Sequence, residues 1–151
     1  MIEERLKLLN IVLPIPPKPA GSYVPVTISG KTAYVSGQIP ILDGKITHKG
    51  KVPTNQSLEE AQKAARLCAI NALAQLKSEI ISLDRVSKIL KVSGFVNSAP
   101  DFTDQPKVIN AASDLLFEIF GEKGRHARVA IGASSLPLDS TVELDMIVEI
   151  S

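Results

Sequence analysis

The spacing of hydrophobic residues changes several times along the chain, and each change marks an element. Ile2, Leu6, Leu9 and Val12 recur at helical intervals across residues 2–12, and Pro14, Pro16, Pro17 and Pro19 then forbid any continuation. This predicts a short N-terminal helix followed by an extended leader. From Ser22 the period shortens to two. Val24, Val26 and Ile28 alternate with Tyr23, Pro25 and Thr27, Ser29-Gly30-Lys31 offers a turn, and Thr32 to Ser36 answers as a second strand. A hairpin is expected, with Pro25 pointing to an edge position. Residues 37–56 carry Pro40, Gly44, Gly50 and Pro53 among polar neighbours, which predicts a long loop with one short strand near Lys45 to Thr47.

Ser57 followed by Glu60 is a capping-box signature. Behind it Ala61, Ala64, Ala65, Cys68, Ala72 and Leu76 keep a helical period, so this is the clearest helix in the chain. Its alanines imply close approach to a flat partner such as a sheet. Asp84 to Asn97 is rich in β-branched residues and reads as a strand. Pro106 suits the first turn of a second main helix with a stripe of Val108, Ile109, Ala112, Leu115, Leu116 and Ile119, and Gly121 is set to stop it. Arg128 to Ala133 and Thr141 to Ile150 read as two strands around a Leu136-Pro137 turn. In the second, Val142, Leu144, Met146, Val148 and Ile150 share one face, opposite Glu143, Asp145 and Glu149. The expected order is hairpin, helix, strand, helix, hairpin: an α+β domain over residues 21–151 with both main helices on one sheet face, preceded by the helix and proline leader of residues 1–20. Two helices leave the other face uncovered, and its mixture of charged and apolar residues such as Ile147 predicts contact with another copy of the chain.

Composition narrows the function classes. With 151 residues, 44% hydrophobic and 22% charged, the chain can build one globular core. Seventeen basic against sixteen acidic residues, with no basic run, argue against nucleic acid as partner. No apolar stretch has the length of a membrane span, and the opening MIEERLK lacks the basic start of a signal peptide. The single cysteine, Cys68, excludes an intrachain disulfide and fits a reducing compartment, so a cytoplasmic protein is expected. Cys68 itself reads as a small apolar core residue.

Common catalytic motifs do not occur: there is no G-x-S-x-G, no P-loop and no H-E-x-x-H. His48 sits in a polar loop and is expected to be solvated, while His126 in GRHARVAI is either an ordinary hydrogen-bonded residue or part of a site rim. The two histidines have no metal-site spacing, and no metal is expected. Arg128 and Glu143 are more informative. An arginine fork binds carboxylates bidentately, and a nearby glutamate can handle a proton or a water; a plain Arg–Glu structural pair is the competing reading. Simple hairpin pairing across residues 134–140 would put Ile131 near Glu143 and leave Arg128 on the opposite face, unless Ser134 and Ser135 form a bulge.

Several ordered blocks resemble the Rid family, also called YjgF or the reactive-intermediate deaminases: SYVPVTISGKTAYVSGQIP, the helix opening after KVPTNQS, INAASDLLFEIFG, and HARVAIGASSLPLDSTVELDMIVEI. The resemblance covers roughly residues 20–151. It implies a chorismate-mutase-like single domain with a mixed sheet, assembled as a homotrimer around a central barrel with a cleft at each subunit interface. It also implies cofactor-free hydrolysis of enamines and imines, such as 2-aminoacrylate and 2-iminopropanoate, to 2-oxo acids and ammonia. By similarity, Arg128 matches the arginine that clamps the substrate carboxylate and Glu143 the glutamate that orients water, while Tyr23, Ser36, Gly37 and Asn110 match pocket positions. Ala130, another position the resemblance assigns to the pocket, stands where the best-known deaminases carry cysteine; hydrolysis survives that loss if only the backbone there contacts the ligand. Two alternatives stand beside this one: a non-catalytic carboxylate- or protein-binding module of the same fold, and the RNA-cleaving, translation-inhibiting activity by which some relatives are labelled.

Overall fold

The structure, a computed structural model, describes residues 1–19 and 21–151; Ala20, the last residue of the expected leader, lies outside the described residues. The first helix, α1 (Ile2–Leu8), is shorter than expected because Asn10 turns into the left-handed region at φ +57°. Leu6 and Ile11 nevertheless enter the common core. The hairpin forms as β1 (Val26–Ser29) and β2 (Thr32–Gln38), and β1 is a sheet edge, as Pro25 demands. The loop that follows holds a two-rung hairpin, β3 (Ile41–Leu42) with β4 (Lys45–Ile46), where one short strand was expected.

The long helix α2 (Leu58–Ile80) starts where Ser57 Oγ accepts the Glu60 amide at 3.1 Å. The Glu60 carboxylate is engaged by Lys63 at 2.7 Å and His48 at 3.3 Å. Ala61, Ala64, Ala65, Ala69 and Ala72 are fully buried, which lets the helix lie close on the sheet. After β5 (Val86–Asn97), α3 (Gln105–Phe120) carries Pro106 in its first turn and ends at Gly121 with φ +63°. β6 (Ala127–Ala133) and β7 (Val142–Ile150) complete the chain.

The five main strands lie in the order β1-β2-β7-β5-β6. This corrects the expected C-terminal hairpin: β6 and β7 do not pair. β6 runs parallel to β5, Val92 beside Arg128, because a strand–helix–strand connection through α3 returns the chain parallel to its start. β7, with Val142, Leu144 and Val148 fully buried, instead enters the sheet between β2 and β5, antiparallel to both. Ser134 and Ser135 therefore serve no hairpin bulge. A bulge lies elsewhere: Val35 faces Met146 and Gln38 faces Leu144, which leaves Ser36 and Gly37 together opposite Asp145.

Both main helices cover one face of this mixed sheet, over Val35, Leu144, Met146, Ile89 and Val92. The opposite face carries Tyr34, Lys91, Ser93, Phe95, Asp145 and Ile147. Tyr34 is 45% exposed there. Among the described residues no helix is long and apolar enough to cross a membrane.

Leu144 is the central rung of the central strand and is fully buried. Leu144→Ala should cost about 2–5 kcal/mol of stability, read as a lowered urea midpoint with an unchanged slope.

Candidate functional site

Two cavities hold the candidate chemistry, and strand alternation separates them. Arg128 lies on the helix-covered side, since its register partner Val92 is buried under the helices. Glu143 alternates with the fully buried Val142 and Leu144, so it projects from the other side. No hydrogen bond or ion pair joins the two among the described residues, so an intrachain Arg–Glu pair is not what these residues form.

The first cavity, about 430 Å³, is lined by Asn110, Ser113, Asp114, Phe117, Arg125, His126 and Arg128. One guanidinium nitrogen of Arg128, Nη1, donates to Asn110 Oδ1 at 2.8 Å and to Ser113 Oγ at 3.2 Å. Ser113 stands 2.9 Å from His126 Nε2, and His126 Nδ1 stands 2.6 Å from the Gly124 carbonyl. A carbonyl can only accept, so Nδ1 carries the proton and Nε2 accepts from the Ser113 hydroxyl, whose oxygen is left for Arg128. Burial lowers the His126 pKa, the Gly124 bond opposes this, and the charge of Arg128 lowers it further. A neutral imidazole therefore suits the chain Arg128–Ser113–His126–Gly124. Every oxygen on Arg128 is neutral, and no carboxylate pairs with it among the described residues. Arg125 is occupied differently, against both Glu122 oxygens at 3.1 Å and over the Phe117 ring at 4.3 Å.

The second cavity, about 330 Å³, gathers Tyr23, Gly37 and Glu143 with Gln38, Gln75 and the leader residues Pro17, Lys18 and Pro19. Gly37 sits in the β2 bulge, and a Cβ built on it would overlap the Glu143 carboxylate. This close cover half-buries Glu143. Burial raises its pKa, and the neighbouring Asp145 raises it further. Asp145 is itself shifted up by burial, with the Ser93 hydroxyl and Lys91 pulling the other way.

The sequence-derived residues thus divide into Arg128 with Asn110, and Tyr23 with Gly37 and Glu143. Ser36 and Ala130 line neither cavity. Ser36 Oγ donates to Val24 O at 2.7 Å and holds the approach to β1, while Ala130 packs against the core on β6. His48, expected in solvent, is half-buried between Thr47 at 2.8 Å and Glu60 at 3.3 Å. Cys68 is buried as expected, and burial pushes its thiol pKa well up. Among the described residues no cluster of His, Cys, Asp and Glu could hold a metal ion.

Sequence reasoning missed Ser113 and the two buried amides, Gln38 and Gln75. A signal existed for Gln75: with Asn71, one helical turn away, it interrupts the alanine-rich buried face of α2 with amides that need partners. Asn71 Nδ2 donates to the Ile39 and Ile41 carbonyls at 3.1 and 2.9 Å, and Gln75 Nε2 to the Pro17 carbonyl at 2.5 Å.

Compared with known proteins, the family described as YjgF/chorismate mutase-like, which carries an endoribonuclease label, matches residues 3–150. Protein TCP17 of Trypanosoma cruzi is 41% identical, over 99% of this chain and 94% of its own. A 2-iminobutanoate/2-iminopropanoate deaminase of Dermatophagoides farinae is 29% identical over 93% and 94% of the two chains. The crystal structure of Atu1372 from Agrobacterium tumefaciens superposes with a TM-score of 0.93 at 48% identity, covering 99% of this chain and 92% of that one. Similarity that runs from α1 to the end of β7, in sequence and in fold alike, makes this chain a member of the YjgF/Rid family.

Proposed function

We propose that this protein hydrolyses reactive 2-imino acids, and the enamines that tautomerise to them, to 2-oxo acids and ammonia, at clefts between the subunits of a homotrimer. The observation that carries the reading is Arg128. A guanidinium positioned by Asn110 and Ser113, bonded at one nitrogen to neutral oxygens and held in no ion pair among the described residues, with Asp114 on the cavity wall but not bonded to it, is a receptor for a carboxylate from outside. The deaminase name of the Dermatophagoides relative points the same way.

The two cavities need a second copy to meet. Arg128 belongs to β6 and Tyr23 leads into β1, and these strands are opposite edges of the sheet. In a closed ring each subunit presents one edge to the other edge of its neighbour, so the Arg128 cavity of one copy adjoins the Glu143 cavity of the next. The uncovered sheet faces then turn inward toward the threefold axis.

In such a cleft Arg128 holds the substrate carboxylate and Asn110 fixes the fork. Tyr23 and Gly37 border the reacting carbon. Glu143 takes a proton from water as the water oxygen bonds to the iminium carbon, and returns that proton to nitrogen. The carbon–nitrogen bond then breaks and ammonia leaves as the carbinolamine hydroxyl gives its proton to the Glu143 carboxylate, and its oxygen becomes the 2-oxo group. A carboxylate with a raised pKa is the better base for this shuttle, and no redox step or cofactor enters the balance. The endoribonuclease label of the family would call for a phosphate-binding surface, whereas a net charge of +1 without a basic run offers little attraction to RNA.

Static light scattering in dilute solution should give three times the 16.2 kDa chain mass; a monomer mass would remove the interface cleft.

Arg128→Lys replaces a planar fork by a point charge. It should keep the fold and lose about 1.5–3 kcal/mol in binding pyruvate or 2-oxobutanoate, roughly ten- to more than a hundredfold, by calorimetry. Equal affinities would mean that Arg128 does not hold the ligand.

Glu143→Gln should lower turnover of freshly generated 2-aminoacrylate by ~10²–10⁴-fold while 2-oxo acid binding survives. Because the folded state raises the Glu143 pKa above 4.5, it binds that proton more tightly than the unfolded chain does, and the ionised group weighs against the fold at neutral pH. The variant should therefore melt higher than wild type at pH 7, and the gain should fade as pH falls through the raised pKa toward the ordinary carboxylate range. Ligand binding by a wild type that turns over no small imine would favour the non-catalytic module.

A further inference from the structure

The N-terminal leader does more than precede the domain. It is anchored at both ends. The Ile2 amide donates to Asp84 Oδ1 at 2.8 Å, Arg5 Nε donates to the Glu118 carbonyl at 2.7 Å, and Lys77 meets Glu3 at 2.6 Å, so α1 is tied to three other parts of the chain. At the far end the Pro17 carbonyl accepts from Gln75 Nε2. Gln75 is only 4% exposed and also reaches Gln38 Oε1 at 3.5 Å, and Gln38, 6% exposed, donates to the Ser36 carbonyl at 3.0 Å. A line of buried amides thus runs from the leader to the bulge that carries Gly37, beside the Glu143 carboxylate. The cavity between them is walled by Pro17 and Pro19 on one side and by Ile39, Pro137 and Leu138 on others. Prolines have a fixed φ, and the Gln75 bond holds the Pro17 carbonyl in place, so less freedom is left for this wall to lose when something binds.

The proline rings, with Ile39, Pro137 and Leu138, give the wall apolar surface beside Lys18, and the space is large for the smallest imines. A cavity of about 330 Å³ matches the volume of roughly eleven waters at ~30 Å³ each, well above the half-dozen heavy atoms of 2-iminopropanoate. We propose that Pro17 and Pro19 form a specificity wall of the Glu143 cavity, and that the protein prefers 2-imino acids, and the corresponding 2-oxo acids, whose side chain is bulky and apolar, of leucine or phenylalanine size. This rests on the reading of the site as a 2-imino acid hydrolase. With the carboxylate held at Arg128 and the reacting carbon beside Glu143, the substrate side chain is the part left to fill the space under the leader. A three-carbon substrate leaves that space to water and gains nothing from the prolines.

Calorimetry on the intact protein with 4-methyl-2-oxopentanoate, 3-phenyl-2-oxopropanoate and pyruvate tests this directly. The wild type should bind one or both of the bulky acids roughly ten- to a hundredfold more tightly than pyruvate. In a Pro17→Gly, Pro19→Gly variant, with folding checked by thermal melting, that ratio should fall to about threefold or less as the wall loses its ordered apolar surface. Equal binding of all three acids by the wild type overturns the preference while leaving the hydrolase reading intact. A ratio that survives in the double-glycine variant overturns the leader's role. If no 2-oxo acid binds at all, the hydrolase reading fails and the specificity wall fails with it.

Discussion

Everything in this fold depends on where β7 lies. A strand with fully buried side chains at every second position needs helices over one face and a paired strand along each edge, and the centre of the sheet supplies all three. With β7 between β2 and β5, the hairpin is carried to one side and β6, returning through α3, to the other. The two edges then differ: β1 faces outward with Tyr23 at its approach, and β6 faces outward with Arg128. The candidate chemistry is distributed between opposite ends of one sheet by this placement alone.

The two cavities treat charge in opposite ways. Around Arg128 the partners are an amide oxygen and a hydroxyl, which orient the cation while leaving its charge uncompensated. The neutral His126 behind Ser113 completes this arrangement without adding a competing anion. Around Glu143 the glycine, the prolines and the second carboxylate all disfavour ionisation. In one cavity the Arg128 charge is bonded only to neutral oxygens, with Asp114 on the wall, and in the other a carboxylate is disfavoured in its ionised form.

Much of the architecture was legible in the chain. The 3.6-residue and two-residue periods found α2, α3 and β7, and Ser57, Pro106 and Gly121 marked helix ends because capping, a fixed φ and a left-handed turn are local chemistry. Pairing is not local. Consecutive strands usually neighbour one another, which favours a β6–β7 hairpin, but the helix crossover from β5 competes for β6 and wins. The candidate site was legible in the same uneven way. Arg128 and Glu143 stood out as charges on apolar strands. The roles of Ser113, Gln75 and the leader prolines depend on which distant segments fold together, and the spacing of residues carries no trace of that. His48 escaped for a similar reason: a polar loop looked solvated until α2 brought Glu60 beneath it.

The contact between Gly37 and Glu143 bears on how this sequence can change over generations. A side chain at position 37 would claim volume that the tip of the Glu143 carboxylate fills, so a lineage that keeps the glutamate in this pose keeps glycine there, and one that changes the glycine must let the carboxylate swing aside. Conversely, a lineage that loses the glutamate is freed at position 37. The two positions, separated by most of the chain, are coupled through one contact, and a descendant with a bulky residue at 37 would carry its glutamate in a different pose.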